Sequence, residues 1–332
     1  MNKIFLTSRM HIPALILSGI LLIFPTLASS DSTVRKPAKK SGIIHLKEHD
    51  PKNNPFKGQS NDKLDHSCYK LTFSDEFDRG PISASKELGD KKYRTQYYWG
   101  DEGINNELQY YADPQFHQTD VLPIKDGKLH ITARKLKHPI KSSKNKLFHY
   151  SSGLITTQSS FKQTYGLFEV RAKLPRGRGL WPAFWLLPDN HKTWRKRGYS
   201  RMPEIDVIEQ LGDDMHTWYA TMHTMMPPYK GGTTAGKWNI YGTDIRVKDD
   251  LSEGFHTYAV DWQADELAWY FDNVPVKREP TPKDVKNDPR YLLLNLAVGG
   301  KWPGNPDKKT VFPAKYVIDY IRVYSKKNRC EK

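Results

Sequence analysis

The 332-residue chain is poor in cysteine, short of acidic residues and without an apolar run long enough to cross a bilayer. Its apolar stretch from Ile12 to Phe24 falls below the ~20 residues that a membrane helix needs, and no cysteine follows it that could take a lipid anchor. Both gaps argue against stable membrane insertion. Lys3 and Arg9 precede the stretch and Ala28-Ser29-Ser30 follows it, so residues 1–30 read as a secretory signal peptide and the protein is expected to be secreted, extracellular or periplasmic. Long amphipathic helices and internal repeats are also missing, which leaves no sign of a second domain. Motifs for binding DNA or RNA are absent, so no nucleic-acid partner is expected. A monomer is expected.

The shortage of acids gives the chain 52 Lys and Arg against 37 Asp and Glu, a formal net charge of +15. Residues 31–67 are rich in Lys, Asp, Asn and Ser with little hydrophobic periodicity, and they read as a flexible tether. The signal region supplies +2 and the tether +3, leaving +10 on residues 68–332. That surplus suits either a solubilising surface or an anionic partner such as an acidic polysaccharide. The two cysteines, Cys68 and Cys330, bracket this third segment. A secreted domain with neighbouring termini permits a disulfide between them, with two unpaired thiols as the alternative.

What the segment does have is short β-rich runs. Between Gly166 and Leu174, Phe168, Val170, Ala172 and Leu174 alternate with Glu169, Arg171 and Lys173, the period of a half-buried strand. Similar runs include Tyr69–Phe73, Lys128–Lys135, Ala183–Leu187, Thr217–Thr224, Phe255–Gln263, Tyr291–Val298 and Val317–Tyr324, with Gly, Pro, Asn and Asp between them. The pattern predicts one large all-β sandwich over residues 68–332.

One run carries chemistry. Glu204, Asp206 and Glu209 lie at E-x-D-x-x-E spacing among Pro203, Ile205, Val207 and Ile208. On a regular strand Glu204 and Asp206 share a face and Glu209 points to the other, but a one-residue β-bulge would return Glu209 to the first face. Four steps of roughly 3.3 Å and two inward-leaning side chains then bring the outer carboxylates to about 6 Å, near the 5–5.5 Å of a retaining glycosidase. Two carboxylates that close interact by about 3 kcal/mol at an effective dielectric near 20, enough to separate their titrations by about two units. At this acid content such spacing arises by accident in roughly one chain in two, so its surroundings must carry the case.

Those surroundings are Asp75-Glu76-Phe77, Asn105-Asn106-Glu107, Tyr165-Gly166-Leu167-Phe168-Glu169-Val170, Gly179-Leu180-Trp181-Pro182-Ala183-Phe184-Trp185, His223, Leu294-Asn295-Leu296-Ala297-Val298-Gly299-Gly300, Trp302-Pro303 and Ile318-Asp319-Tyr320-Ile321-Arg322. In this order, over about residues 68–326, the series resembles glycoside hydrolase family 16, in particular its laminarinase-like members with a bulged active-site strand. The resemblance implies a concanavalin A-like jelly-roll β-sandwich with a concave substrate cleft, and retaining endo-hydrolysis of a β-linked polysaccharide, here a 1,3- or mixed 1,3/1,4-β-glucan. By position it makes Glu204 the nucleophile, Asp206 its helper and Glu209 the acid/base. Trp181 and Trp185 would stack on sugar rings, and Asn105, Glu107, His223 and Trp302 are further substrate-binding candidates. No cofactor is implied for catalysis. Glu76 and Asp319 match positions where the family often holds a structural calcium remote from the cleft.

Two departures bear on the substrate. Leu154 follows Ser152-Gly153 where laminarinase-like relatives usually have Arg, and Arg201-Met202-Pro203 stands where they usually have Trp-Pro and Gly. Both leave the reaction type intact. With the basic balance they also suit a depolymerase or remodelling enzyme, hydrolase or transglycosylase, for a bacterial exopolysaccharide or sulfated galactan. A non-catalytic glycan-binding protein would be expected to have lost the glutamates that this chain retains.

Overall fold

Alternation along each strand sorts side chains into a core between two sheets and two outer faces. The computed structural model describes residues 44–45, 63–78, 80, 82, 92–100, 103–190, 202–225 and 238–330, all within the unit Arg35–Lys332. The signal peptide expected at 1–30 lies outside the described residues, as does most of the tether expected at 31–67. Among the described residues there are seventeen strands, one short 3-10 turn at His66–Cys68 and no α-helix, and no helix long and apolar enough to cross a membrane.

The seven-stranded sheet runs β1 (Ile44–His45), β12 (Trp238–Arg246), β11 (Thr217–Met225), β10 (Glu204–Glu209), β9 (Leu180–Pro188), β16 (Arg290–Val298) and β7 (Leu154–Thr156). The ten-stranded sheet runs β15 (Val274–Pro280), β14 (Glu266–Phe271), β13 (His256–Trp262), β8 (Gly166–Lys173), β17 (Ala314–Lys326), β5 (Lys128–Lys141), β6 (Leu147–Ser152) and β3 (Gln109–Tyr111). β2 (Tyr69–Asp75) pairs with β17, and β4 (Ile124–Lys125) with β5. This is the expected all-β jelly-roll sandwich.

The main core joins Phe184, Leu186, Ile205, Val207 and Leu294 of the first sheet to Phe168, Val170, Trp262, Trp269 and Ile321 of the second. Burying a side chain of that size contributes about 1.5–3 kcal/mol. A second cluster, containing Tyr97, Tyr111, Leu154, Trp185 and Leu293, lies on the outer face of the seven-stranded sheet and forms the floor on which the site is built. Cys68 and Cys330 form a disulfide across 262 residues. It joins the turn before β2 to the segment after β17, two strands that are themselves antiparallel partners.

Glu76 and Asp319, the residues expected to mark a structural calcium, each lie against an arginine. Both Glu76 oxygens accept from Arg322, at 2.9 Å each, while Asp319 is ion-paired with Arg171 and lies 3.6 Å from Lys128.

Candidate active site

β10 carries the site because it contains a bulge. Asp206 pairs with Thr221 and Glu209 with Tyr219, so β10 has one more residue between these rungs than β11; the register against β9 slips at the same place, between Asp206 and Ile208. Val207 and Ile208 consequently both enter the main core, and Glu209 returns to the face of Glu204 and Asp206, where all three line one pocket. The carbonyl of Asp206, at the point where the ladder breaks, accepts a 2.9 Å bond from the buried Trp269 indole. A main-chain acceptor freed by the bulge is thereby satisfied from the opposite sheet.

The three acids differ in environment. Glu204 is half-buried, whereas Asp206 is 2% and Glu209 8% exposed. Burial pushes the Asp206 carboxyl up to about 8, against the lowering effects of its hydrogen bond with Glu204 and of Lys277. Glu209 is pushed well above the usual carboxylate range, first by burial and then by the negative charge of Asp206. Loss of hydration disfavours the charged form in both. His223 faces Glu204 across the β10–β11 ladder; its Nε2 is 3.1 Å from Asp206 Oδ2 and 3.5 Å from Glu204 Oε1. Glu204, Asp206 and His223 each bring one ligand-type atom within 4.8 Å of the others, a closeness that their carboxylate and imidazole contacts account for without an ion.

Aromatic residues flank the acids on one side. Trp181 Nε1 donates to Glu209 Oε1 at 3.2 Å, and its ring meets that of Trp302 edge-on at 5.3 Å. Trp302 is 39% exposed and also packs against Tyr219 at 4.7 Å. These three rings form a platform beside Glu209. Trp185 lies in the floor: it is buried, and its Nε1 donates to Asn295 Oδ1 at 2.7 Å.

From Asn295 a polar chain runs across the floor to Glu107. Asn295 Nδ2 donates to Tyr111 Oη at 3.0 Å, and Glu107 Oε2 accepts from Tyr111 at 3.4 Å and from Gln109 Nε2 at 2.8 Å. Burial pushes Glu107 up to about 7, against these bonds and one from Asn105. The loop that presents it turns through Asn105 and Asn106, both at positive φ, a conformation that asparagine tolerates better than most residues. That loop is tied to the end of β16 by Leu108 N to Val298 O and Lys301 N to Asn105 O.

The pocket therefore unites Glu204, Asp206, Glu209, Asn105, Glu107, Trp181 and Trp185, with His223 and Trp302 on its margins. The profile of the Glycosyl hydrolases family 16 matches residues 108–322. The chain belongs to that family.

Endo-1,3-1,4-beta-glycanase EglC of Rhizobium meliloti (strain 1021) is 38% identical over 271 residues, which cover 79% of this chain and 53% of that protein. The chain thus spans about half the length of the first curated relatives it matches. The beta-glucanase of Rhodothermus marinus is 34% identical over 275 residues, covering 79% of this chain and 87% of that one. Among solved structures, the laminarinase catalytic domain from Thermotoga maritima MSB8 superposes with a TM-score of 0.64 at 34% identity, covering 78% of this chain and 99% of that one.

Within this family 16 site, several residues escape motif reading. Tyr97 comes from an ordinary aromatic run, and Tyr219 is one of several aromatics around β11; nothing in their spacing marks them as neighbours of the acids. Asn295 carries a signal that could have been used, as the sole polar residue in the otherwise apolar run Tyr291–Val298. Leu154 pairs with Asn295 and is fully buried in the floor beside Trp185, so the departure from Arg at this position makes the floor apolar.

Proposed function

We propose that the chain is a secreted, endo-acting β-glucanase that hydrolyses 1,3- or mixed 1,3/1,4-β-glucan with retention. The observation that carries this reading is the bulged strand, which turns three carboxylates in unequal environments to one aromatic-lined face. Glu204, the most exposed of them, is the nucleophile. Asp206 is buried and hydrogen-bonded with Glu204, which fixes the nucleophile's orientation and eases its departure in the second step. Glu209 is the general acid: burial keeps it protonated until the glycosidic oxygen takes the proton, and it then serves as base for the incoming water. His223, against both Glu204 and Asp206, orients the pair. The platform of Trp181, Trp302 and Tyr219 offers ring faces to sugar rings on the Glu209 side, while Asn105 and Glu107 offer polar groups from across the floor.

The names of the relatives, a glycanase and a glucanase among them, support the substrate class, and the buried Trp185 and Leu154 favour an uncharged backbone. The chain acts as a monomer exported by its signal peptide, without a catalytic cofactor. One observation favours a second substrate. Residues 127–168 contain eight Lys and Arg and no acid, and Lys135, Lys137, Lys141, Lys144 and Lys146 stand exposed on the β5–β6 hairpin, as an anionic exopolysaccharide would require.

Substitution tests the assignment. Glu204→Gln and Glu209→Gln should each lower turnover on laminarin by about a thousandfold or more with the fold intact, and Asp206→Asn should cost less. Near wild-type turnover in either glutamine variant, with intact near-UV circular dichroism, would remove the strand from the mechanism.

A further inference from the structure

Two cations are buried in the core directly beneath the acids. Arg290 is fully buried and Lys277 is 3% exposed. Arg290 opens β16 on the core side, in line with Leu292 and Leu294, and its Nη1 donates to the carbonyls of Pro203 at 2.8 Å and Leu186 at 3.4 Å. Pro203 immediately precedes Glu204. Lys277 comes from the opposite sheet, and its Nζ donates to the carbonyls of Tyr241 at 2.6 Å and Ala220 at 3.1 Å. Each cation also lies against an indole, Arg290 5.2 Å from the centre of Trp262 and Lys277 4.6 Å from that of Trp269. Trp269 is the residue whose N–H holds the Asp206 carbonyl at the bulge.

Neither cation forms an ion pair with a carboxylate among the described residues. A buried charge without a partner of opposite sign is costly, and a neutral amide could donate to the same carbonyls. What the charge adds is field. Burial pushes Lys277 down to about 8 and Arg290 to about 10; against it, Lys277 is attracted to Glu279 and then Asp206, and Arg290 to Asp288, Asp284 and then Glu204. From the cleft side, among the described residues, Glu204 and Asp206 face Glu209, His223, Tyr97 and Tyr291, and of these His223 can bear positive charge. Lys277 and Arg290 thus add, from beneath the sheet, to the positive potential that His223 can supply from the cleft.

We propose that Lys277 and Arg290 are positioning residues for the reaction: a buried cationic pair that pins the main chain around the catalytic strand and holds negative charge on the Glu204–Asp206 pair. This rests on the assignment of Glu204 as nucleophile. Removing either charge makes ionisation of the pair harder, so the proton comes off at higher pH and activity at acidic pH is lost first.

The test is the pH dependence of kcat/KM of the full chain on laminarin, measured well below each variant's melting temperature. Lys277→Gln and Arg290→Gln keep an N–H donor for the carbonyls but lack the charge. Each should move the acid limb up by about one pH unit, a tenfold loss below the limb, and the double variant should move it further. Lys277→Arg and Arg290→Lys should leave the limb in place. Folded Gln variants with the wild-type acid limb would overturn the proposal and leave the pair a structural support. Should the Gln variants fail to fold, the charge-conserving pair decides: a displaced limb in a folded Lys277→Arg or Arg290→Lys protein would overturn it. Glu204→Gln in the same assay separates this inference from its foundation. Retained turnover there defeats the nucleophile assignment itself, whereas an inactive Glu204→Gln with unmoved limbs in the other variants defeats only the role of the cations.

Discussion

At the scale of single residues, the site works against the stability of its own fold. Asp206 and Glu209 are both raised by burial. A carboxyl whose native pKa exceeds its unfolded one keeps its proton in the folded state while the unfolded chain gives its proton up. For Asp206 the window runs from the ordinary 3.8 to about 8, and across it stability falls as pH rises. Replacing the acid by its amide removes that penalty. Glu209→Gln should therefore melt above the wild type by about 3 °C or more at pH 7, with the difference shrinking toward pH 4. Thermal scans across this range check it, and a constant or inverted difference would mean that Glu209 is already ionised in the native protein. Activity and stability separate at this one position, as expected where a site is held in an unfavourable charge state.

At the scale of elements, the bulge in β10 matters more than any side chain on it, because without it Glu209 faces the core. Trp269 supports the bulge from the opposite sheet through its bond to the Asp206 carbonyl. Trp269→Phe keeps most of the ring but leaves that buried carbonyl unsatisfied, at a cost of about 1–3 kcal/mol. The variant should melt several degrees lower and lose turnover even though residue 269 touches no substrate; an unchanged kcat would show that the bulge needs no such support. Much at this level was legible in the sequence. β8, β9, β13 and the core of β16 announce themselves by period or by apolar run, and the E-x-D-x-x-E spacing foretells the bulge because three acids serve one face only if a residue is inserted. Other elements hid for physical reasons. β15 reads Val-Pro-Val-Lys-Arg-Glu-Pro, a polar string with two prolines, since its buried lysine satisfies carbonyls of the facing sheet instead of meeting water. β5 runs on to Lys141, beyond its apolar half at Lys135, because its far end forms an exposed hairpin with β6. Position in a motif likewise does not reveal that Arg322 and Arg171 lie against Glu76 and Asp319.

At the scale of the molecule, the disulfide and the charge remain. Cys68–Cys330 closes a loop of 262 residues, worth up to about 5 kcal/mol in the chain-entropy model. Cys68→Ser with Cys330→Ser should lower the melting temperature by about 10 °C while leaving kcat at low temperature unchanged; an unchanged melting temperature would show that the β2–β17 pairing alone secures the termini. The charge of +10 on residues 68–332 decides between substrates through ionic strength. On a neutral glucan, raising salt past the point where the screening length falls to about 8 Å should barely alter kcat/KM, whereas a steep fall would favour the anionic polymer. Beneath all of these stands the claim that the anomeric carbon of a β-glucan is inverted twice, first by Glu204 from the face opposite the leaving group and then by water, activated by Glu209, from the face the leaving group vacated. It is tested most directly by following the anomeric protons of the first product by NMR during hydrolysis of laminarin. The β-anomer should appear first and the α-anomer only later through mutarotation; an initial burst of α-anomer would contradict the account.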